Sequence, residues 1–327
     1  MPVYNAAPFV AEAIRSVLNQ NFNDFELIII NDGSTDASEE QILAFKDKRI
    51  LYLKQSNQGQ VIASNNGIKR AQGRFIKFLD ADDIINKDHL LLQYNAIKND
   101  IGCIASCEWA VFYKDISKAV FQKENVHRHY NNPMDWFYDA HYYDKGMLGA
   151  WLWLIPSSVL KKAGLWHPQL SLNNDFDFST RLICASKGIR FAKGAKLYYR
   201  TGNQKSLTHS KNEQAYRSAL LTTELAMVNI LKIENSQRMR QLFADRFQAW
   251  IYLMYPQHKS IRKTMRSHIK DLGGSALKPE GGRLFKLLNL IFPWQVVKWT
   301  QFMVHKTIWR PILTLKYKRK MRKKFLL

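Results

Sequence analysis

Phe9, Val10, Ile14, Val17 and Leu18 recur at the spacing of one helix face, which predicts an amphipathic helix near the start of the chain. Glu26-Leu27-Ile28-Ile29-Ile30 is instead a short, continuous apolar run, the pattern of a strand covered on both faces. Residues Asn31 to Asp36 then supply turn formers and a helix N-cap. A second unit repeats the order, with a strand over Arg49 to Lys54, a turn at Asn57-Gln58-Gly59, a helix over Gln60 to Ala71, and a strand over Arg74 to Leu79. Such alternation predicts βαβ units and an α/β fold with a mainly parallel sheet flanked by helices. Farther on come a β-rich run (Ile101 to Tyr113), an aromatic stretch without clear period (Tyr130 to Tyr143) and the segment Trp151 to Pro156. A helix near Ser158 to Ala163 ends at Gly164, and another runs from Asn173 through Ile183. Ile189 to Phe191 and Leu197 to Tyr199 read as two short strands, and everything beyond Ser210 reads as helical. The predicted division is a domain over 1–209 and a helical, basic region over 210–327.

Charge sharpens that division. The 327 residues carry a formal charge of +22, yet residues 256–327 hold 18 Lys and Arg against only Asp271 and Glu280. The basicity therefore belongs to an appendage that meets an anionic surface, and it argues against a nucleic-acid-binding main domain. Three cysteines at no metal-ligand spacing read as core thiols in a reducing compartment. No run of eighteen apolar residues appears, which argues against a simple membrane span.

The chemistry concentrates where Phe78-Leu79 runs into Asp80, Asp82 and Asp83. Ligands of open α/β sheets gather beyond the carboxyl ends of strands, and clustered carboxylates suit a hard divalent cation. The plainer alternative is an acidic turn that caps the helix starting near Asp88.

In order and spacing, PVYNAAPFVAEAIRSVLNQ, FELIIINDGSTD, NQGQVIASNNGIKRAQGRFIKFLDADD, GLWHPQLSLNNDFDFSTRL and KLYYRTGNQKSLT resemble the family 2 glycosyltransferases. The resemblance covers roughly residues 2 to 208. It implies a Rossmann-like GT-A fold and inverting, metal-dependent transfer from a nucleoside-diphosphate sugar, with UDP expected. It also implies a hydroxyl acceptor on a glycan or a lipid-linked molecule in envelope polysaccharide or lipopolysaccharide assembly. By the match, Pro2 and Tyr4 lie beside the nucleobase, although Tyr4 reads equally as a strand-end core residue. Asp32 accepts from the uracil imide, since a carboxylate can only accept. Asn65 and Asp80 serve the nucleotide, and Asp82 holds Mg²⁺ or Mn²⁺ on the diphosphate. Asp175 is the catalytic base, with Asp177 as its backup and helix capping as the alternative role. Trp151 and Trp153 (with Trp166 nearby) either stack on the acceptor sugar or pack in the core.

Departures from the family pattern matter too. Asn31 and Asn174 replace acids, and Ser64 replaces an arginine for which Lys69 or Arg70 are candidate substitutes. Thr201 to Asn203 stand where a metal-ligating His is common, leaving His209 as either a distant ligand or a solvated loop residue. Only Met1 precedes Pro2, so a partly unfilled sheet position and a natural start upstream of Met1 are expected. A non-catalytic nucleotide-sugar-binding protein of the same fold is the rival reading. Trp294, Trp299 and Trp309 among cations, followed by seven Lys and Arg between Lys316 and Lys324, predict peripheral attachment to the inner face of the cytoplasmic membrane.

Overall fold

The computed structural model describes residues 1–142, 146–202 and 212–309. Met1–Leu242 form one compact unit, and a second begins at Phe243. The first unit opens with β1 (Pro2–Val3), α1 (Val10–Leu18), β2 (Leu27–Asp32), α2 (Ser38–Leu43), β3 (Ile50–Gln55) and α3 (Gln60–Arg70). It continues through β4 (Phe75–Lys77), β5 (Ile84–Ile85), α4 (His89–Ile97), β6 (Cys103–Phe112), β7 (Val120–Phe121) and α5 (Pro133–Tyr142). Then follow β8 (Leu154–Pro156), α6 (Ser157–Ala163), α7 (Asn174–Ala185), β9 (Gly188–Arg200) and α8 (Glu213–Ile233). The remaining helices are α9 (Gln237–Met254), α10 (Lys259–Asp271), α11 (Arg283–Ile291) and α12 (Trp294–Val304).

The α/β architecture expected from the alternating pattern is present. Helix α1 buries Val10, Ala13, Ile14 and Val17, the i, i+3, i+4, i+7 stripe of an amphipathic helix. Strands β1, β2 and β3 form a parallel sheet, in which Leu27 pairs with Ile50 and Asp32 with Gln55. The second sheet runs in the order β4-β8-β6-β9-β5, with β7 on β6. There β6 and β9 are parallel, while β4–β8, β6–β8 and β5–β9 are antiparallel, so the pairing of the fold is mixed. Between the two sheets lies a cavity of 610 Å³ beside the two-residue β1, lined among others by Ile28, Ile30, Phe75, Ile76 and Tyr94. None of the catalytic candidates Asp80, Asp82 and Asp175 lines it.

Two elements differ from the sequence expectation. The stretch read as aperiodic contains α5, which starts at an Asn132-Pro133 signal and buries Met134, Trp136, Phe137 and Ala140. The two short strands are one long β9, broken in register where Cys107 faces Ala192 and Glu108 faces Lys196. The extra residues include Gly194 at φ +85°, whose N–H donates to Glu108 Oε1 at 2.8 Å.

In the second unit, α10 buries Ile261, Met265 and Ile269 beneath a basic outer face. Helices α11 and α12 bury only Phe285 and Val297 respectively. No helix among the described residues is long and apolar enough to cross a membrane.

Candidate active site

The acidic turn grows out of the strand that precedes it. Phe78 meets Phe178 and Trp166 edge-on, and Leu79 is buried, so the chain enters the turn from a packed core. Asp83 N–H returns to the Asp80 carbonyl at 3.2 Å, which closes the turn ahead of β5. Asp80 Oδ1 accepts from Gln60 Nε2 at 3.1 Å, from the first turn of α3. Asp83 does not cap the next helix. It is fully buried, its Oδ1 accepts the Arg200 N–H at 2.9 Å, and its Oδ2 has no hydrogen-bond partner among the described residues. Asp88 occupies the N-cap position of α4 instead.

Arg200, at the end of β9, is the brace of this turn. Its Nε donates to the Asp82 carbonyl at 2.8 Å, and its Nη2 reaches Glu12 Oε2 of α1 at 2.5 Å. The guanidinium also lies over the Phe9 and Phe112 rings, at 5.0 and 4.4 Å. Sequence reasoning passed over Arg200 and Gln60, because neither carries a local motif.

Asp175 enters from a different part of the chain. Asn173 adopts the left-handed conformation at φ +65° and starts α7 without a side-chain cap. Asp175 Oδ1 accepts from Ala150 N at 3.0 Å, so its carboxylate is turned away from capping its own helix. Burial, opposed only by that hydrogen bond, lifts its carboxyl to about 6. Asp80 rises to about 7, through burial first and then through the charges of Asp82 and Asp175. The Asp175 charge therefore acts on Asp80 across 94 intervening positions. The Tyr199 phenol is raised by burial and then by Asp83, Asp80, Asp82 and Asp175, which places it beside the whole cluster. Asp177, the backup base, is buried and paired with Arg181 at 2.7 Å within its own helix. It is a structural ion pair.

Asp32 is nearly inaccessible, and three N–H groups point at its carboxylate: Gln55 Nε2 and Gln58 N on Oδ1, and Gly59 N on Oδ2. It organises the loop that leads into α3 and keeps one of its roughly four acceptor directions. Gly33 allows this approach, since its φ of +71° and the Asn57 nitrogen 2.8 Å from any Cβ leave room for no other residue. Tyr4 is exposed and Pro2 partly so, beside β2. Asn65 lies elsewhere than expected. Its Nδ2 donates to the Trp166 carbonyl and its Oδ1 accepts the Trp166 N–H, both at 2.9 Å, so it clamps a backbone instead of facing a ligand. Lys69 and Arg70 are exposed at the carboxyl end of α3, about 8–9 Å along the axis from Ser64.

Trp151 and Trp153 are core residues. A 3-10 turn over Ala150–Leu152 breaks the alternation that would have pointed both rings one way. Trp153 is fully buried, with its indole N–H on Ser179 Oγ at 3.1 Å, and Trp151 packs between Trp109 and Tyr199. Neither indole offers a face to an acceptor. His209 lies outside the described residues, as does the basic run from Lys316 to Lys324.

Among the described residues no three His, Cys, Asp or Glu side chains form a closed cage for a metal ion. The carboxylate oxygens of Asp80 and Asp82 are nonetheless of the donor type that a hard divalent cation takes.

Residues 1–150 match the family model described as Glycosyl transferase family 2. Over a little under half of its length, the chain is therefore similar to the family 2 glycosyltransferases. An uncharacterized glycosyltransferase of Haemophilus influenzae is 49% identical over 98 residues, 29% of this chain and 39% of that protein. The minor teichoic acid biosynthesis protein GgaB of Bacillus subtilis is 27% identical over 249 residues, 71% of this chain and 26% of its own. The chain thus spans less than half the length of those two relatives. The structure of S. aureus TarS residues 1–349 in complex with UDP-GlcNAc superposes with a TM-score of 0.66 at 17% identity, over 83% of this chain and 78% of that 1–349 chain. That likeness establishes the GT-A architecture of the glycosyltransferase fold.

Proposed function

We propose that the protein is an inverting, metal-dependent glycosyltransferase that moves a sugar from a UDP-sugar to a hydroxyl of a glycan or lipid-linked acceptor in envelope polysaccharide assembly. One feature carries this reading: the Asp175 carboxylate, held by the Ala150 N–H at the start of α7, is near enough to the acidic turn for its charge to raise Asp80. A donor diphosphate at the turn and an acceptor hydroxyl at α7 would then meet between them. The relative named for teichoic acid biosynthesis and the UDP-GlcNAc-bound TarS structure favour that donor and acceptor class.

Asp82, with Asp80 in its neighbourhood, would hold Mg²⁺ or Mn²⁺, which when bound neutralises the diphosphate and stabilises the departing nucleotide. Asp32 offers its remaining acceptor direction to the uracil imide N–H, and Tyr4 and Pro2 border that position. Asp175, lifted toward neutrality, is suited to take the proton of the attacking hydroxyl. The buried Asn174 and its neighbour Asn173 carry amide nitrogens without partners among the described residues, donors available to acceptor oxygens. The basic carboxyl-terminal region would hold the enzyme at the inner face of the cytoplasmic membrane, near lipid-linked substrates.

A panel of nucleotide sugars, read by thermal shift with and without Mn²⁺ and then by product anomer, tests the proposal. A metal-enhanced shift with one UDP-sugar and inversion at the transferred carbon are expected. Donor binding without any turnover toward hydroxyl acceptors or water would favour a non-catalytic binding protein.

A further inference from the structure

Helix α11 exposes its apolar side. Leu284, Leu287, Leu290 and Ile291 have relative exposures of 67, 62, 83 and 75%, and Phe292 just beyond the helix 49%. At about 100° per residue the four helical positions fall within roughly 120° of the circumference, opposite the buried Phe285. No other described stretch of similar length exposes as many large apolar side chains. A soluble surface rarely carries such a contiguous patch unless something covers it.

The charge around the patch indicates what that is. Arg283 and Lys286 are exposed on α11 itself, Lys306 is exposed beyond α12, and no acid occurs between Glu280 and Trp309. Trp299, half exposed on α12, adds the aromatic side chain typical of a membrane–water boundary. The nine residues of α11 extend about 14 Å, far too short to span a bilayer and suited to lying in its surface plane.

We infer that α11 inserts its Leu284–Leu287–Leu290–Ile291 face among the headgroups of a bilayer rich in anionic lipid, with Arg283 and Lys286 on lipid phosphates. This deepens the membrane attachment proposed above and rests on it, but not on the transfer chemistry. The insertion element is folded and apolar, distinct from the purely electrostatic run between Lys316 and Lys324.

The test uses the full chain with vesicles of phosphatidylcholine, alone or mixed with phosphatidylglycerol. Wild-type protein should co-sediment with the mixed vesicles, and the double variant Leu287→Glu, Leu290→Glu should bind at least about tenfold more weakly at an unchanged melting temperature. A polarity-sensitive dye on Leu290→Cys, placed in a Cys184→Ser background because Cys184 is only partly buried, should shift to the blue with mixed vesicles; Cys103 and Cys107 are buried. Nucleotide-sugar turnover toward water or a soluble acceptor should be the same in wild type and variant. Equal vesicle binding by wild type and variant overturns the inference. If binding then vanishes on removing residues 310–327, attachment survives through the basic run alone. Failure of wild type to bind mixed vesicles overturns both the inference and the attachment. A concentration-dependent dimer that the double variant dissolves and vesicles do not compete would make the face a self-interface, which also overturns it.

Discussion

The Nε of Arg200 donates to the Asp82 carbonyl at 2.8 Å, so the last residue of β9 holds the backbone of the proposed metal-binding residue. The same guanidinium reaches Glu12, and its backbone N–H occupies Asp83. Hydrogen bonds of this charged kind contribute about 1.5–3 kcal/mol each. Arg200→Met should lower the melting temperature and abolish metal-enhanced UDP binding together. Arg200→Lys should recover part of the stability without the binding, because an ammonium cannot reproduce the fork that spans Asp82 and Glu12. Full nucleotide affinity in the Met variant, measured by calorimetry, would remove Arg200 from the site.

Asp82→Asn should eliminate transfer and the Mn²⁺-dependent part of UDP-sugar binding, since an amide carries no anionic charge to the cation. The half-buried side chain is replaced by one of nearly equal size, so the melting temperature without ligand should fall little, if at all. A variant that transfers near the wild-type rate and still responds to Mn²⁺ would exclude Asp82 as a ligand.

Asp175→Asn should cost about 10²–10⁴ in turnover while donor affinity persists. Wild-type rate should rise with pH through about 6, where the base loses its proton. Stability runs the other way. The folded pKa lies above the ordinary 3.8, so the folded state holds the proton more tightly, and stability falls as pH rises from about 4 to about 6. The Asn variant lacks this contribution and should melt higher than wild type at neutral pH, with the Ala150 N–H still accepted by the amide oxygen. A variant that melts lower at pH 7 and shows the same pH slope would contradict the buried-carboxylate account.

Asn65→Ala removes both hydrogen bonds to the Trp166 backbone and leaves buried groups unsatisfied, each at a cost of about 1–3 kcal/mol. A large drop in denaturation midpoint with unchanged donor affinity is expected. Selective loss of nucleotide binding in a stable variant would return Asn65 to the nucleotide.

Local pattern was enough for much of this architecture. The Ile28–Ile30 run, the Gln60 helix and the carboxylates after Leu79 sit where periodicity and strand-end logic put them, because those signals span only a few neighbours. What escaped was non-local. β9 is a single strand because β6 pairs with it across a register break, which no window on residues 188–200 reveals. Helix α5 hid behind aromatic side chains of modest helix propensity, although Asn132-Pro133 marked its start. Asp83 looked like a cap until its partner proved to be Arg200, more than a hundred residues away. The aromatic residues Trp151 and Trp153 misled for the converse reason, as a 3-10 turn replaced the strand on which their shared direction depended.

The Asn65–Trp166 clamp has a consequence for how such a scaffold can diversify. Beyond it, the chain is caught again where Ser218 accepts the Ser171 N–H and donates to the Leu172 carbonyl, just ahead of α7. Between these anchors Pro168 and Gln169 are exposed. A loop pinned at both ends can be lengthened or rewritten at an entropic cost that grows only logarithmically with its length. Substitutions there would therefore retune what approaches the carboxylates while leaving the carboxylates themselves in place.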